Sequence, residues 1–293
     1  MKLKETLLTM TAVSLAATVV AAQTVGLGDA VSAVGSVVED VVGTVGRSAP
    51  GAIPVGQSAT GYRWSGAVPP GQSLEIKGVN GSILVVAAEG SEAVVATEAR
   101  GRRSDPASVR IERVEHEGGL TFCAVYPAPE GQSGNVCAPG ESGRLNTGRH
   151  DVEVEFRVEV PQGVRFVGRT VNGSVEAVGL AGDVVARTVN GDVEISTTGF
   201  AEAETVNGSI DASMGRADPV SGAAFTTVNG SVTLDLHEDV DADIDARWMN
   251  GGFESEIPFL LEGRMSRHRA RGILGQGGPE LRLETVNGSI RIH

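Results

Sequence analysis

The chain has 293 residues, 41% of them hydrophobic but only 4% aromatic, with 40 glycines. That mix suits thin, regular β-structure better than a thick helical core. Its 37 acidic residues outnumber 24 basic ones, so the formal charge of −13 disfavours nucleic acid and anionic lipid as partners.

Residues 1–22 carry Lys2 and Lys4, then an uncharged apolar run over 6–20, then "VAA" before Gln23. This predicts a secretory signal peptide cleaved after Ala22, because the apolar run is too short and too poorly flanked to prefer a membrane span. No Cys follows the run, so nothing points to a lipid anchor. Residues 23–65 form a Gly-, Ala-, Val- and Ser-rich leader. Within it Val31, Val34, Val38, Val41, Val42 and Val45 fall at the spacing of a weak amphipathic helix without a basic face. "SAPGAIPVGQSATG" then reads as linker.

From about residue 66 the pattern turns to strands. "SLEIKGVNGSILVV", "EAVVATEARG" and "SVRIERVEHEGGLTFCAVYP" predict successive strands, the last a hairpin. In "HDVEVEFRVEV", Val152, Val154, Phe156, Val158 and Val160 share one face and Glu153, Glu155, Arg157 and Glu159 the other, which predicts a half-exposed strand. Cys123 and Cys137 flank a Gly/Pro-rich loop, and in an exported chain such a pair is expected to form a disulfide.

One phrase recurs through the second half. Asn-Gly stands at Asn80, Asn172, Asn190, Asn207, Asn229, Asn250 and Asn287, the last six separated by 18, 17, 22, 21 and 37 residues. Thr precedes by two positions at Thr170, Thr188, Thr205, Thr227 and Thr285. Three positions on, the residue is always apolar: Ile83, Val175, Val193, Ile210, Val232, Phe253 and Ile290. A period near 20 residues means stacked supersecondary units. The half-period in "GDVVARTVNGDVEI" implies two or more strands and corners in each.

The expected fold is therefore all-β, a β-solenoid or β-roll-like stack of short strands with Asn-Gly corners, preceded by a short antiparallel region. The repeat domain spans 66–293, with strands and the disulfide loop in 66–165 and repeat coils in 166–293. The seven Asn residues are structural corners. Gly permits a left-handed corner there, and stacked Asn amides can form a ladder. The segment from Asn250 to Asn287 is expected to be an insertion or irregular coil, and the strand ending at Ile292 to be an edge open to a partner strand.

These phrases, among them "RTVNGSVEA", "VVARTVNGDVEIS" and "LRLETVNGSIRI", resemble the bacterial putative-adhesin family of repeated β-strands over about residues 66–293. The resemblance implies an exported or envelope-associated solenoid-like protein and supplies no catalytic residues.

Few constellations suggest chemistry. His116, His150, His237, His268 and His293 are scattered, without paired metal spacing. No P-loop, GxGxxG or nucleophile elbow is present. Asp239, Asp241, Asp243 and Asp245 alternate with small apolar residues and read as the acidic solvent face of a strand, with calcium or a glycosidase-type carboxylate pair as alternatives. Arg264, Arg267, His268, Arg269 and Arg271 read as a solvated loop, with an anion or polysaccharide contact as the alternative.

The function expected is an exported, non-enzymatic β-repeat protein: an adhesion, scaffold or envelope interaction module with a cell-surface or polysaccharide partner and no cofactor. The alternatives are a polysaccharide-active β-helix enzyme and a purely structural or sensory periplasmic domain.

Overall fold

The computed structural model describes residues 55–293 apart from 129–130, 132, 217–221, 238–239 and 262–265. The expected signal peptide, the valine periodicity of 31–45, Asp239 and Arg264 lie outside the described residues. The protein is all-β, with one 3-10 turn at Pro106–Ser108. No helix of the described residues is long and apolar enough to cross a membrane.

Two sheets, of twelve and ten strands, run through the molecule. Each coil gives one strand to each. In chain order the first-sheet strands of the coils are Ser73–Lys77, Arg165–Arg169, Val184–Arg187, Ala201–Glu204, Ala223–Asn229, Ala242–Asn250 and Glu280–Asn287. Their second-sheet partners, each reached through an Asn-Gly corner, are Ile83–Ala87, Val175–Leu180, Val193–Thr197, Ile210–Met214, Val232–Leu236, Phe253–Ser255 and Ile290–Ile292. The half-period is thus two corners per coil: Gly191-Asp192 leads into the second sheet, and Gly182-Asp183 returns to the first.

Coil-on-coil pairing is parallel and in register, so like residues stack. Ile83, Val175, Val193, Ile210, Val232 and Ile290 form one continuous inner column across the second sheet, every member at most 2% exposed. Opposite it, Ile76, Gly168, Ala186, Ala203, Phe225 and Leu283 line the first sheet. Small residues in mid-stack keep the layer thin, which accounts for a core with few aromatics. Phe225 is fully buried, and its truncation to Ala would cost about 3–5 kcal/mol.

The stack departs from chain order at one end. After Val232–Leu236 the chain goes to the outermost position, Ala242–Phe253, and turns back through Arg269–Leu274, antiparallel to Ala242–Asn250. It then inserts Glu280–Ile292 between the two earlier coils. The strand ending at Ile292 is therefore interior, flanked on both sides, and the expected open edge there is corrected. The outermost coil replaces the usual Thr with Trp248 and closes the pole with aromatics. Trp248 stacks on Phe253 at 5.6 Å, and Phe253 meets Phe259 edge-on at 5.8 Å. Terminal repeats are atypical because they have no further neighbour to bury them.

At the other pole, Glu153–Val160, Glu92–Arg100 and Arg63–Ala67 extend the second sheet. Gly119–Val125, Arg110–His116 and Val55–Ser58 extend the first. The expected hairpin and the alternating strand are both present there. The outermost strands of both sheets are two to five residues long, which keeps unpaired backbone short.

Candidate functional site

The repeated phrase is explained by contacts between coils. Asn172 donates through Nδ2 to Asn80 Oδ1 at 2.8 Å, Asn190 to Asn172 at 2.9 Å, Asn207 to Asn190 and Asn229 to Asn207 at 2.8 Å, then Asn287 to Asn229 and Asn250 to Asn287 at 2.8 Å. The ladder follows the spatial order of the coils. Each Thr hydroxyl is buried and donates to the glycine carbonyl of the preceding coil: Thr170 to Gly81 at 3.0 Å, Thr188 to Gly173 at 2.8 Å, Thr205 to Gly191 at 2.9 Å, Thr227 to Gly208 and Thr285 to Gly230 at 2.8 Å. The residue after Gly accepts the next coil's backbone N–H, as where Ser209 N donates to Asp192 Oδ1 at 2.7 Å.

Glycine is required at most corners for a reason other than the one expected. Gly191 and Gly208 do not lie in the left-handed region. A Cβ on Gly191 would fall 2.2 Å from the Gly173 carbonyl oxygen, and one on Gly208 would fall 1.9 Å from that of Gly191. Close approach of one coil's backbone to the next excludes any side chain. Only Gly81, Gly173 and Gly251 of this series add a positive φ.

The ladder ends at Asn80 in an open groove of about 520 Å³, lined by Asn80, Asn172, Glu98, Arg100, Asp151 and Glu153 among others. It is the place where a carboxylate pair could do chemistry. Asp151 is held down at about 2, first by the backbone N–H of Ser104 against a smaller effect of burial, with Ser104 hydroxyl and Arg103 contributions. The Glu98 carboxyl is lowered by its hydrogen bond and attraction to Arg100. A general acid needs a raised value, so both groups move away from that role.

On the outer face of the second sheet, Glu176, Glu194 and Asp211 stand in register and exposed. Thr233 and Arg291 then separate them from Glu254, so the acidic row is three residues long before it is broken.

The outer face of the first sheet is ionic. Cys123 and Cys137 are bonded, and the residues between and beyond them pack over one end of this face. Lys77 Nζ donates to the carbonyls of Ala138 and Ser142, both at 2.8 Å, and Gly140 N donates to Glu75 Oε2 at 2.9 Å. Glu75 also accepts from Thr121 and pairs with Arg169 at 3.3 Å. Mid-stack, Arg187 pairs with Glu202 at 2.8 Å and Glu204 at 3.5 Å.

The acidic series 239–245 is not one solvent face. Asp241 and Asp243 accept from the backbone of the 275–278 turn, at Gln276 N and Gly278 N. Asp245 is buried beneath arginines: Arg269 Nε at 2.8 Å, Arg269 Nη2 closer still, Arg247 at 2.9 Å and Arg271 at 3.5 Å. Burial pulls its carboxyl up, but the hydrogen bonds from Arg269 and Arg247 more than offset this and leave it at about 2. The arginine-rich stretch read as a loop is in its second half a strand, Arg269–Leu274, laid beside that aspartate. The arginine pairing of Asp245 has no local sequence signal, since its partners lie 24 and 26 residues on. Among the described residues no group of three or more His, Cys, Asp or Glu is placed to hold a metal ion.

The fold and these faces define a two-sheet β-solenoid of stacked Asn-Gly coils with charged outer surfaces. A family model described as Toastrack DUF4097 matches residues 170–293. A solved structure described as a "putative cell adhesion protein" from Clostridium sporogenes aligns at 15% identity over 80% of this chain and 99% of its own, with a TM-score of 0.37, too low for any argument to rest on it. No curated protein matches.

Proposed function

We propose that the protein is an exported, non-enzymatic interaction module that binds an extended surface or polymer along its flat outer faces. The observation that carries this is where the repeated polar groups go. The hydroxyls and ladder amides of the Thr-Val-Asn-Gly-Ser phrase bond to neighbouring coils, so regularity serves the stack. What faces outward is a set of charged rows at about 4.8 Å spacing, such as Glu176, Glu194 and Asp211. Many weak equivalent contacts suit a polymer or surface better than one small substrate, and catalysis needs unlike groups converging at one point. Export is supported by the n-region and apolar run at the N-terminus and by the Cys123–Cys137 bond, which persists in oxidising compartments.

The test is retention of the purified mature protein on envelope polysaccharide and on whole cells. Replacing Glu176, Glu194 and Asp211 together with Lys should change retention. Product release from a polysaccharide, abolished by one carboxylate substitution, would refute the non-enzymatic reading. Failure to bind any surface would favour a purely structural role.

A further inference from the structure

We infer that the outer face of the first sheet at its aromatic-capped pole is a binding surface for a carboxylate-bearing polysaccharide, held by Arg271 and Arg282. The inference rests on the reading just given and names the partner chemistry for one face.

The strands Glu280–Asn287, Ala242–Asn250 and Arg269–Leu274 lie side by side there. Register places Arg282, Asp245 and Arg271 in one row and Glu284, Arg247 and Arg269 in the next. Arg269 and Arg247 already fill the Asp245 carboxylate, and Arg247 also reaches Glu284 at 3.1 Å. Arg271 is left with a single 3.5 Å approach to an acceptor that is already bonded, and its side chain is 53% exposed. Arg282 is 44% exposed and shares a surface pair with Glu280 at 3.0 Å. Arg267, also exposed, lies two residues before Arg269. Five arginines thus meet three carboxylates, in a chain whose formal charge is −13. Ala224 and Thr226 separate this patch from the Arg187, Glu202 and Glu204 cluster, so its excess is not neutralised from that side.

The ligand chemistry follows from the guanidinium. Its planar fork matches a carboxylate bidentately and is weakly hydrated for a cation. Asp245 shows the same face accepting a carboxylate from within. Arg282 and Arg271 flank it one strand away on each side, about 10 Å apart from two strand spacings. A flat chain with recurring carboxylates can engage both forks while lying on the sheet. A polymer is preferred over a single anion because two separated, half-exposed charges each contribute little alone and add when the ligand is linked.

The experiment measures retention of the mature protein on immobilised polygalacturonate, with the fully methyl-esterified polymer and polyphosphate as the other arms. Wild type should bind polygalacturonate, weaken steeply with salt, and pass through the esterified column. Arg271→Gln with Arg282→Gln should weaken binding roughly tenfold and flatten the salt dependence, with an unchanged thermal melt. Arg271→Lys, which keeps the charge without the fork, should fall between. Equal retention on the esterified polymer, binding to polyphosphate without polygalacturonate, or full retention by a folded double variant would each overturn the inference. If wild type binds whole cells but not polygalacturonate, this inference falls and the broader reading stands; if it binds neither, both fall.

Discussion

Replacing Gly208 with Ala separates two explanations for the corner glycines. If glycine were present for backbone freedom, the cost would be a conformational penalty of about 1–2 kcal/mol. Gly208 does not occupy the left-handed region, so that penalty is absent. The added carbon would instead fall 1.9 Å from the Gly191 carbonyl oxygen, a separation that real contacts never reach. The two coils must part by more than an ångström at that corner. The bonds spanning it are Thr205 Oγ1 to Gly191 O at 2.9 Å, Asn207 Nδ2 to Asn190 Oδ1 at 2.8 Å, Ser209 N to Asp192 Oδ1 at 2.7 Å and Asn207 N to Val189 O at 2.8 Å. At about 0.5–1.5 kcal/mol each, loss of these four gives about 2–6 kcal/mol. Gly179 is the control, with φ +70° and nothing within 4 Å of an added Cβ. Its replacement by Ala should cost only the conformational penalty. Urea unfolding of both variants is the assay, read as the midpoint shift at constant slope. A Gly208→Ala midpoint equal to wild type, or a smaller loss than for Gly179→Ala, would refute the close-approach argument.

Thr205→Val keeps the shape but leaves the Gly191 carbonyl without its donor; it should cost about 1–3 kcal/mol, and Thr205→Ser much less, by the same unfolding assay. Thiol titration of the unfolded, unreduced protein should find no free thiol, and removing the bond by Cys123→Ser with Cys137→Ser should lower stability by about 3 kcal/mol for a loop of this length. Because the folded value of Asp245 lies at about 2, below its unfolded value, its contribution is complete above the unfolded value and is lost as pH falls toward 2. Asp245→Asn should therefore flatten the decline in melting temperature between about pH 5 and pH 2, and an unchanged acid slope would contradict that assignment.

The sequence by itself determined what is local and periodic. The spacing of Asn-Gly set the coil length, the half-period set two corners per coil, and the apolar third position set the inner column of Ile83, Val175, Val193 and Ile210. Each follows from side-chain alternation and from stacking at one fixed distance, both written in short-range pattern. Only the tertiary structure decided the order of the last two coils. The phrases around Asn250 and Asn287 can each occupy a rung, and exchanging them leaves the local pattern intact. The signal that could have found the answer is compositional. The coils lacking Thr, at Gly78 and Trp248, stand first and last in the stack, and the Thr-bearing coil at Thr285 lies inside it. The reason for glycine was likewise decided between coils, since a neighbour's carbonyl 1.9 Å from a missing Cβ cannot be read from one strand. Asp245 looked like solvent-facing acid because its own strand alternates. Its burial depends on Arg269 and Arg271, brought beside it by a reversal of the chain after the outermost coil, and the register of that return is a long-range fact.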